Sequence, residues 1–205
     1  MNGAILVLSG PSGAGKSTII EHASDQIGEY YFSISTTTRP PREGELDGVD
    51  YYFVSREIFE EDIKAGQFLE YATVHNNYYG TSLKPVKEAL SEGKLVIFDI
   101  DVQGHRLVQA KMGDFVTSAF ITPPTLNELE KRLYARSTDN DTVIKNRIEN
   151  AKKEIQAVNE FDFVIINDVV EIASSKFATI ANASRLKKSA EELEKLVIHW
   201  QDGSK

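Results

Sequence analysis

The stretch that decides the fold of this chain is Gly10-Pro11-Ser12-Gly13-Ala14-Gly15-Lys16-Ser17-Thr18. It follows the apolar run Ala4-Ile5-Leu6-Val7-Leu8, and the apolar residues after it recur at the spacing of a helix. A Gly-x-x-x-x-Gly-Lys-Ser sequence between a strand and a helix is typical of a loop that binds the phosphates of a nucleotide. The pattern therefore predicts an α/β fold with a parallel sheet, organised around a nucleoside triphosphate site formed by residues 10–18.

The residue types of this loop suit an anion. Glycines let consecutive backbone N–H groups turn toward a phosphate, and the N-terminus of the following helix adds a partial positive charge. Lys16 would then reach the β- and γ-phosphates, and the hydroxyl of Ser17 would ligate Mg²⁺. The alternative is a glycine-rich turn that binds nothing, but the strand and helix contexts on its two sides favour the phosphate site.

Composition places the chain among ordinary soluble proteins, and we expect it in the cytoplasm. Its 205 residues are 41% hydrophobic and 26% charged, and they contain no cysteine, which excludes disulfides, cysteine-ligated zinc and thiol catalysis. No apolar run approaches the ~20 residues that span a bilayer, and the first strand begins too early for a signal peptide. The formal net charge of −8 argues against a nucleic-acid polymer as partner.

The rest of the chain alternates between strand and helix patterns. The continuous apolar run Leu95-Val96-Ile97-Phe98 predicts a central parallel strand buried on both faces. It ends in Asp99-Ile100-Asp101, at the edge where open α/β sheets bind ligands. Further strands are predicted at 30–35, 115–122 and 161–166, and helices at 86–92, from 125 onward and at 142–158. Aromatic residues and turn signals indicate that residues 35–82 form a small β-rich insertion.

The arginines form two groups. Arg39 and Arg42 lie in the insertion, whereas Arg132, Arg136 and Arg147 lie on the two predicted helices after residue 125. Local positive clusters in an acidic protein suit small phosphorylated ligands, because guanidinium groups bind phosphate bidentately. The alternative for these residues is solvated surface charge.

Seven further motifs follow the phosphate-binding loop in order. They are Ser35-x-Thr37-Thr38-Arg39-x-Pro41-Arg42-x-Gly44-Glu45, Gly48-x-Asp50-Tyr51-x-Phe53, Phe68-x-Glu70, Tyr79-Gly80-Thr81, Asp99-Ile100-Asp101-x-Gln103-Gly104, Lys131-Arg132-Leu133 and Ile166-Asn167-Asp168. In this order they resemble the guanylate kinase family over most of the chain. The resemblance implies one domain, 1–205, with a core of 1–34, 83–124 and 159–205, a GMP-binding insertion at 35–82 and a helical lid at 125–158.

The chemistry of guanine accounts for one part of the resemblance. Guanine presents N1–H and an exocyclic NH₂ on one edge, and a single carboxylate can accept from both donors. The family places its glutamate at the position of Glu70, while the hydroxyls of Ser35 and Thr81 suit the O6 acceptor. The family more often has serine at position 81. The resemblance gives Asp101 a further contact with the base, and a helix cap is the alternative.

The resemblance also assigns the phosphates and the metal. Arg39 and Arg42 would grip the GMP phosphate beside Glu45, with the hydroxyls of Tyr51 and Tyr79 completing the site unless those rings only pack. The resemblance implies four catalytic cations. Lys16 lies in the loop, and Arg132, Arg136 and Arg147 would arrive with the lid. The implied cofactor is Mg²⁺, with ligands Ser17 and, through water, Asp99. Asn167 would meet the adenine or ribose of ATP, which completes the predicted ATP site.

The implied activity is transfer of the γ-phosphoryl group of ATP to GMP, and to dGMP, in purine nucleotide recycling. Its partners would be these small molecules, with no membrane and no indicated oligomeric state. One alternative is an inactive scaffold that binds phosphopeptides, although such relatives typically lose the loop that this chain keeps. Another is a kinase for a different base, which Glu70 does not suit. A third is a GTPase switch, because residues 101–104 spell Asp-x-x-Gly, although the chain contains no Asn-Lys-x-Asp.

Overall fold

The computed structural model describes residues 3–74, 76–135, 141–188 and 190–203. The strands are β1 (Ala4–Ser9), β2 (Tyr30–Phe32), β3 (Thr36–Thr37), β4 (Tyr52–Phe53), β5 (Phe68–Val74), β6 (Asn77–Ser82), β7 (Leu95–Asp99), β8 (Val116–Thr122) and β9 (Phe163–Ile166). The helices are α1 (Lys16–Ala23), α2 (Arg56–Lys64), α3 (Leu83–Ser91), α4 (Val102–Met112), α5 (Leu126–Ala135), α6 (Asp141–Glu154), α7 (Val170–Ser184) and α8 (Ala190–Asp202). Over these described ranges, no helix combines the length and apolar character that spanning a bilayer requires.

The core is a five-stranded parallel sheet with the strand order β2-β7-β1-β8-β9. All six residues of β1 are buried, because helices cover both faces of the sheet. One face packs on α1 and α7 through a cluster that includes Leu6, Ile19 and Phe177. The other face packs on α3 and α4 through a cluster that includes Val86 and Val108. Burial on both faces explains why the strands are continuous apolar runs, and it confirms the predicted α/β fold with a parallel sheet.

Between β2 and α3 the chain forms a second sheet, ordered β4-β3-β6-β5. β5 and β6 are an antiparallel hairpin whose turn contains Asn76, a non-glycine residue at φ 65°. α2 covers this sheet through Phe59, which is fully buried. Its ring stacks on Phe68 at 4.2 Å and on Tyr78 at 5.0 Å between ring centroids. The aromatic residues of this segment therefore build a small core of their own, which holds the insertion together.

The helices α5 and α6 pack on each other rather than on the main sheet. Their shared cluster consists of Leu129, Leu133, Ile144, Ile148 and Ala151. Its inner side touches the phosphate-binding loop, since a Cβ atom on Gly13 would lie 3.0 Å from Leu133 and 3.2 Å from Leu129. Arg136, which follows α5 in the sequence, lies outside the described residues. The two helices therefore form a small unit that lies against the loop.

Several predicted element ends differ from the structure; the strand predicted at 161–166, for example, begins at Phe163. The strand predicted at 30–35 ends at Phe32, because the chain then turns into the second sheet. The helix predicted at 86–92 begins earlier, at Leu83, where the side chain of Ser82 caps it. Pro85 fits in its first turn because the N–H groups there have no helical partner. The second helix predicted after residue 125 ends at Glu154 and continues as a 3₁₀ segment.

His105 on α4 is buried against the segment that leads into β9. It is 3% exposed, and its ring stacks on Phe161 at 4.1 Å between centroids. Among the described residues neither ring nitrogen has a hydrogen-bond partner. Burial lowers the pKa of His105 and outweighs the carboxylates of Glu160 and Asp162, which raise it. The ring therefore packs as a neutral aromatic group.

This histidine makes the stability of the fold sensitive to acid. Its folded-state pKa is depressed, so protons bind the unfolded chain first, and stability is lost as the pH falls below about 6.5. His105→Phe keeps the stacking and removes the titration. We expect its free energy of unfolding in urea to depend less on pH, between about 7 and 5, than that of the wild type. His22→Phe, at an exposed position of α1, is the control, and equal slopes for all three proteins would contradict a buried neutral ring.

Candidate active site

The phosphate-binding loop has the backbone that its glycines predict. Gly10, Gly13 and Gly15 have positive φ angles of 133°, 92° and 89°. Close packing adds a second requirement at Gly10, where a Cβ atom would lie 2.0 Å from the carbonyl oxygen of Ile121 on β8. In the described part of the chain no side chain caps α1, which begins directly behind the loop at Lys16. The first N–H groups of α1 and the positive end of its dipole are therefore available to an anion in the loop.

Asn167 anchors this loop to the end of the sheet. Its side chain is 5% exposed, and its Nδ2 donates to the carbonyl oxygen of Ala14 at 2.8 Å. Its backbone N–H donates to the carbonyl oxygen of Thr122, at the end of β8, at 2.8 Å. A Cβ atom on Gly15 would lie 2.4 Å from the same Nδ2. The residue predicted to bind ATP thus contacts the loop itself, and contact with the adenine or ribose stays a prediction.

Lys16 lies between the loop and the end of β7. Its ammonium group donates to the carbonyl oxygens of Gly10 at 2.7 Å and of Pro11 at 3.4 Å, and it lies 3.6 Å from a carboxylate oxygen of Asp99. Burial raises the pKa of Asp99, and the charge of Lys16 opposes that rise. The predicted catalytic cation and the predicted metal-site carboxylate are therefore neighbours, and phosphates that enter the loop would meet both.

Two of the predicted lid arginines lie beside the loop. Arg147 on α6 donates through Nη1 to the hydroxyl oxygen of Ser12 at 2.8 Å. Arg132 on α5 pairs with Glu128 at 3.0 Å. It also lines a cavity of about 420 Å³, whose other lining residues are Gly13, Gly15, Thr18, Ala135, Asn167, Asp168 and Val170. Cations from both helices thus lie beside the loop, and their part in phosphoryl transfer stays a prediction. The third, Arg136, lies outside the described residues.

The insertion carries a second basic centre, which is organised by Glu45. Its carboxylate accepts hydrogen bonds from Nη2 of Arg39 at 2.8 Å and from the backbone N–H of Arg42 at 2.7 Å. The hydrogen bond from Arg39, and to a smaller extent that from Arg42, holds the pKa of Glu45 below its usual value. The guanidinium of Arg39 lies 5.5 Å from the ring centre of Tyr51, and Tyr51 meets Tyr79 edge to face at 6.1 Å. The structure therefore brings together all five residues predicted to surround the GMP phosphate.

Glu70 on β5 is held by Thr81 on the adjacent strand β6. Thr81 is 4% exposed, and its hydroxyl donates to Oε1 of Glu70 at 2.8 Å. Sequence reasoning directs this hydroxyl to the O6 atom of a base, but in the structure its proton faces Glu70. Glu70 lines a cavity of about 450 Å³ with Tyr71, Ala72, Ile100, Asp101, Gln103, Gly104 and Leu107. Thr81 therefore orients the carboxylate on the wall of this cavity.

Asp101 and Ser35 complete the residues predicted near the base. Asp101 caps α4, because its Oδ1 accepts from the N–H of Gly104 at 2.8 Å. The helix cap that was the alternative to base contact is therefore present. It lines the same cavity as Glu70, so a contact of this side chain with the base stays a prediction. Ser35 lies between β2 and β3, partly buried, and its carbonyl oxygen accepts from the N–H of Tyr52 at 3.0 Å. The contact predicted between Ser35 and O6 of guanine likewise stays a prediction.

Glu154, at the end of α6, is a charged residue of the site that sequence reasoning misses. It lines a cavity of about 330 Å³ with Asp101, Val102, Gln103, Arg106, Asn150, Lys153 and Ala157. Burial raises the pKa of Glu154, the charge of Lys16 lowers it, and that of Asp101 raises it. The three groups therefore share one electrostatic environment. α6 contains several other charged residues, so the sequence alone does not distinguish this glutamate from its exposed neighbours.

The family of the chain follows from its sequence matches. Residues 2–184 match the family described as guanylate kinase. The chain belongs to the guanylate kinase family. This confirms the resemblance that the motifs indicate, and it accounts for the order in which they occur.

Individual guanylate kinases match over nearly their whole length. The guanylate kinase of Sulfurimonas denitrificans is 60% identical over 200 residues, which cover 98% of this chain and 97% of that protein. The guanylate kinase of Campylobacter jejuni strain RM1221 is 44% identical over 204 residues, covering 99% of this chain and 100% of that protein. The crystal structure of guanylate kinase from Anaplasma phagocytophilum has a TM-score of 0.66 and 33% identity, covering 91% of this chain and 88% of that one.

The bond between Asn167 and the loop of this guanylate kinase family member can be tested by truncation. In Asn167→Ala the buried carbonyl of Ala14 loses its donor, which costs about 1–3 kcal/mol. We expect the free energy of unfolding in urea to fall by that amount, and the affinity for an ATP analogue to fall with it. Asn159→Ala truncates an exposed asparagine and should change stability by less than ~0.5 kcal/mol. An Asn167→Ala variant as stable as the wild type would show that this bond does not anchor the loop.

Proposed function

We propose that this protein transfers the γ-phosphoryl group of ATP to GMP, giving ADP and GDP, with Mg²⁺ as cofactor. As a guanylate kinase family member it is a nucleotide-binding transferase. The observation that supports GMP as acceptor is Glu70, a carboxylate oriented by Thr81 on the wall of a cavity. We propose dGMP as a second acceptor, purine nucleotide recycling as the role, and the cytoplasm as the compartment, which a chain without cysteine suits.

The base of the nucleotide that receives the phosphoryl group is selected by the hydrogen bonds that Glu70 can accept. An ionised carboxylate has about four acceptor positions, so it can take the bond from Thr81 and still accept from N1–H and NH₂ of guanine. Adenine has an acceptor at N1 instead of a donor, which would face the carboxylate unfavourably. Ser35 would supply the donor to O6. This hydrogen-bond pattern favours guanine over the other bases, which argues against the alternative of a kinase for another base.

The alternative of a catalytically inactive scaffold is not favoured. The phosphate-binding loop keeps Gly15, Lys16 and Ser17, and its backbone has the positive φ angles that an anion site needs. Proteins named guanylate kinase match this chain at 44% and 60% identity over nearly its full length. A scaffold would have no use for a lysine placed between the loop and a metal-site carboxylate.

The protein residues act on the transferred group by position and charge. Lys16 would leave the loop carbonyls to meet the β- and γ-phosphates, while Arg132 and Arg147 approach from the lid with Arg136. The acceptor phosphate has a second pKa of about 6, so it is largely dianionic at neutral pH and no general base is required. Glu45 holds Arg39 in place for that phosphate. Alignment of two phosphates between these cations, with water excluded by the lid, accounts for the chemistry.

The oxygen ligands near the loop fit Mg²⁺. This ion keeps several waters and is usually bound by one or two protein oxygens together with substrate phosphates. Ser17, in the first turn of α1, and Asp99, at the end of β7, offer such oxygens, Asp99 through water. Within the described ranges, no three His, Cys, Asp or Glu side chains form a cage for a metal. Two protein ligands suit an ion that arrives with ATP, where it would neutralise phosphate charge.

Lys16→Met should affect catalysis far more than acceptor binding. The ammonium group acts on the transferred phosphoryl group, so we expect kcat to fall by about 100-fold or more. The affinity for GMP should change little, because GMP binds to the insertion. Lys176→Met, at an exposed position of α7, is the matched control. Steady-state kinetics that give Lys16→Met a kcat within a few-fold of the wild type would contradict this role.

Glu70→Gln should impair recognition of GMP specifically. The amide oxygen can accept from one guanine donor, but the amide NH₂ then faces the other donor. An unpaired buried polar group costs about 1–3 kcal/mol, so we expect kcat/KM for GMP to fall by roughly 10- to 100-fold or more. The affinity for an ATP analogue should be unchanged.

The control for this variant is Glu61→Gln, which makes the same chemical change at an exposed position of α2 in the insertion. It should leave both kcat/KM and ATP-analogue affinity within a factor of about two. If Glu70→Gln leaves GMP efficiency untouched, or weakens both ligands equally, Glu70 does not recognise the base.

A further inference from the structure

The pairing of β5 with β6 contains an irregularity at Glu70. The register shifts between Phe68 and Tyr71, because residues 68 to 71 of β5 span the same stretch as residues 82 to 80 of β6. Leu69 and Glu70 therefore stand opposite the single residue Thr81, which is a β-bulge. A bulge bends its strand and redirects the side chains on it. The direction of the Glu70 side chain thus depends on what holds this bulge.

Lys111, in the last turn of α4, holds two carbonyl groups at the start of the bulge. Its Nζ donates to the carbonyl oxygen of Phe68 at 2.6 Å and to that of Leu69 at 2.7 Å. Successive carbonyl groups of a regular strand point in opposite directions, so one ammonium group reaches both only where the strand is distorted. Phe68 and Leu69 are 5% and 3% exposed, so water has little access to replace these bonds.

Gly80 on β6 allows the second strand to approach the bulge closely. A Cβ atom at this position would lie 2.7 Å from the carbonyl oxygen of Glu70 and 2.9 Å from Cβ of Tyr71. There is consequently no room for a side chain between the bulge and β6. The bulge is held by Lys111 at two carbonyl groups and by close contact with Gly80 at the next one.

The three residues at the bulge enter three different parts of the molecule. Phe68 stacks in the aromatic core of the insertion, Leu69 belongs to the cluster between the main sheet and α3 and α4, and Glu70 lines its cavity. α4 supports this arrangement at both ends, because its N-cap Asp101 lines the same cavity and Lys111 holds the bulge. A lysine in the last turn also stabilises a helix through its dipole, but that effect alone would not reach Glu70.

We propose that Lys111 is a positioning residue for recognition of the acceptor base. By holding the carbonyl groups of Phe68 and Leu69, it fixes the bulge that directs the carboxylate of Glu70 into the cavity. Lys111 acts through Glu70 and not by contact with the nucleotide. The inference rests on the proposed function, which assigns Glu70 to guanine.

Steady-state kinetics of Lys111→Met test this role, because methionine keeps an unbranched apolar side chain and removes the donors. We expect kcat/KM for GMP to fall by about 5- to 20-fold, mainly through a higher KM, with the affinity for an ATP analogue unchanged. Lys87→Met, at an exposed position of α3, is the matched control. A variant that unfolds or weakens both ligands equally would show a general structural role and overturn the proposal, as would unchanged GMP efficiency.

A double-mutant cycle with Glu70→Gln tests whether Lys111 acts through Glu70. If it does, adding Lys111→Met to Glu70→Gln should lower kcat/KM for GMP by less than about two-fold further. Two effects that multiply in the double variant would show that the residues act independently, and this result also overturns the proposal.

Amide hydrogen exchange without nucleotide separates a failure of this inference from a failure of the proposed function. In Lys111→Met we expect faster exchange at residues 68–71 and at the facing residues of β6, with wild-type rates in β1. If the wild type does not phosphorylate GMP but this local change occurs, the assignment to GMP fails and the positioning of Glu70 stands. Unchanged exchange at the bulge overturns the positioning role, whichever nucleotide the protein phosphorylates.

Discussion

The geometry of the site depends on how closely the phosphate-binding loop packs against the end of the main sheet. Gly10 has no room for a side chain beside the carbonyl of Ile121, and Asn167 holds the loop through Ala14. The backbone N–H groups of the loop must face one anion together, so a small shift at either contact would move the phosphate relative to the acceptor. Three neighbouring parallel strands, β1, β8 and β9, meet at this loop, which gives the loop a rigid base.

The cations that we propose for phosphate binding are paired with protein acceptors. Three of them pair with a carboxylate, namely Lys16 with Asp99, Arg39 with Glu45 and Arg132 with Glu128. The six side chains are between 12% and 32% exposed, so none of these pairs is fully withdrawn from water. A phosphate carries more charge and more acceptor oxygens than a carboxylate, so we expect it to compete for these cations. The pairs also restrict the long side chains near the positions that we propose for binding, which would reduce the entropy lost there.

The sequence predicts those parts of the molecule that a few consecutive residues encode. The loop motif and the buried strand runs are of this kind, and they are enough to predict the parallel α/β fold and the family. Contacts between distant segments are not encoded locally. Asn167 and Ala14 are 153 residues apart, and the donation from Thr81 to Glu70 depends on how two strands pair. Glu154 has no local signal at all, because only tertiary burial separates it from other charged residues of α6.

The acceptor-only character of the Glu70 carboxylate underlies the base discrimination that we propose for the acceptor site. An ionised carboxylate has only acceptor positions, so with one of them taken by Thr81, Glu70 presents its remaining acceptors to the cavity. A base that offers two donors to the Glu70 carboxylate satisfies its acceptors. A base with an acceptor on that edge instead places two acceptors against each other without a proton between them. That penalty exceeds the value of one lost bond, so selection rests on repulsion as well as attraction. A serine hydroxyl at position 81 would also donate to Glu70. Thr81 is only 4% exposed, so the additional methyl group of threonine affects packing rather than recognition.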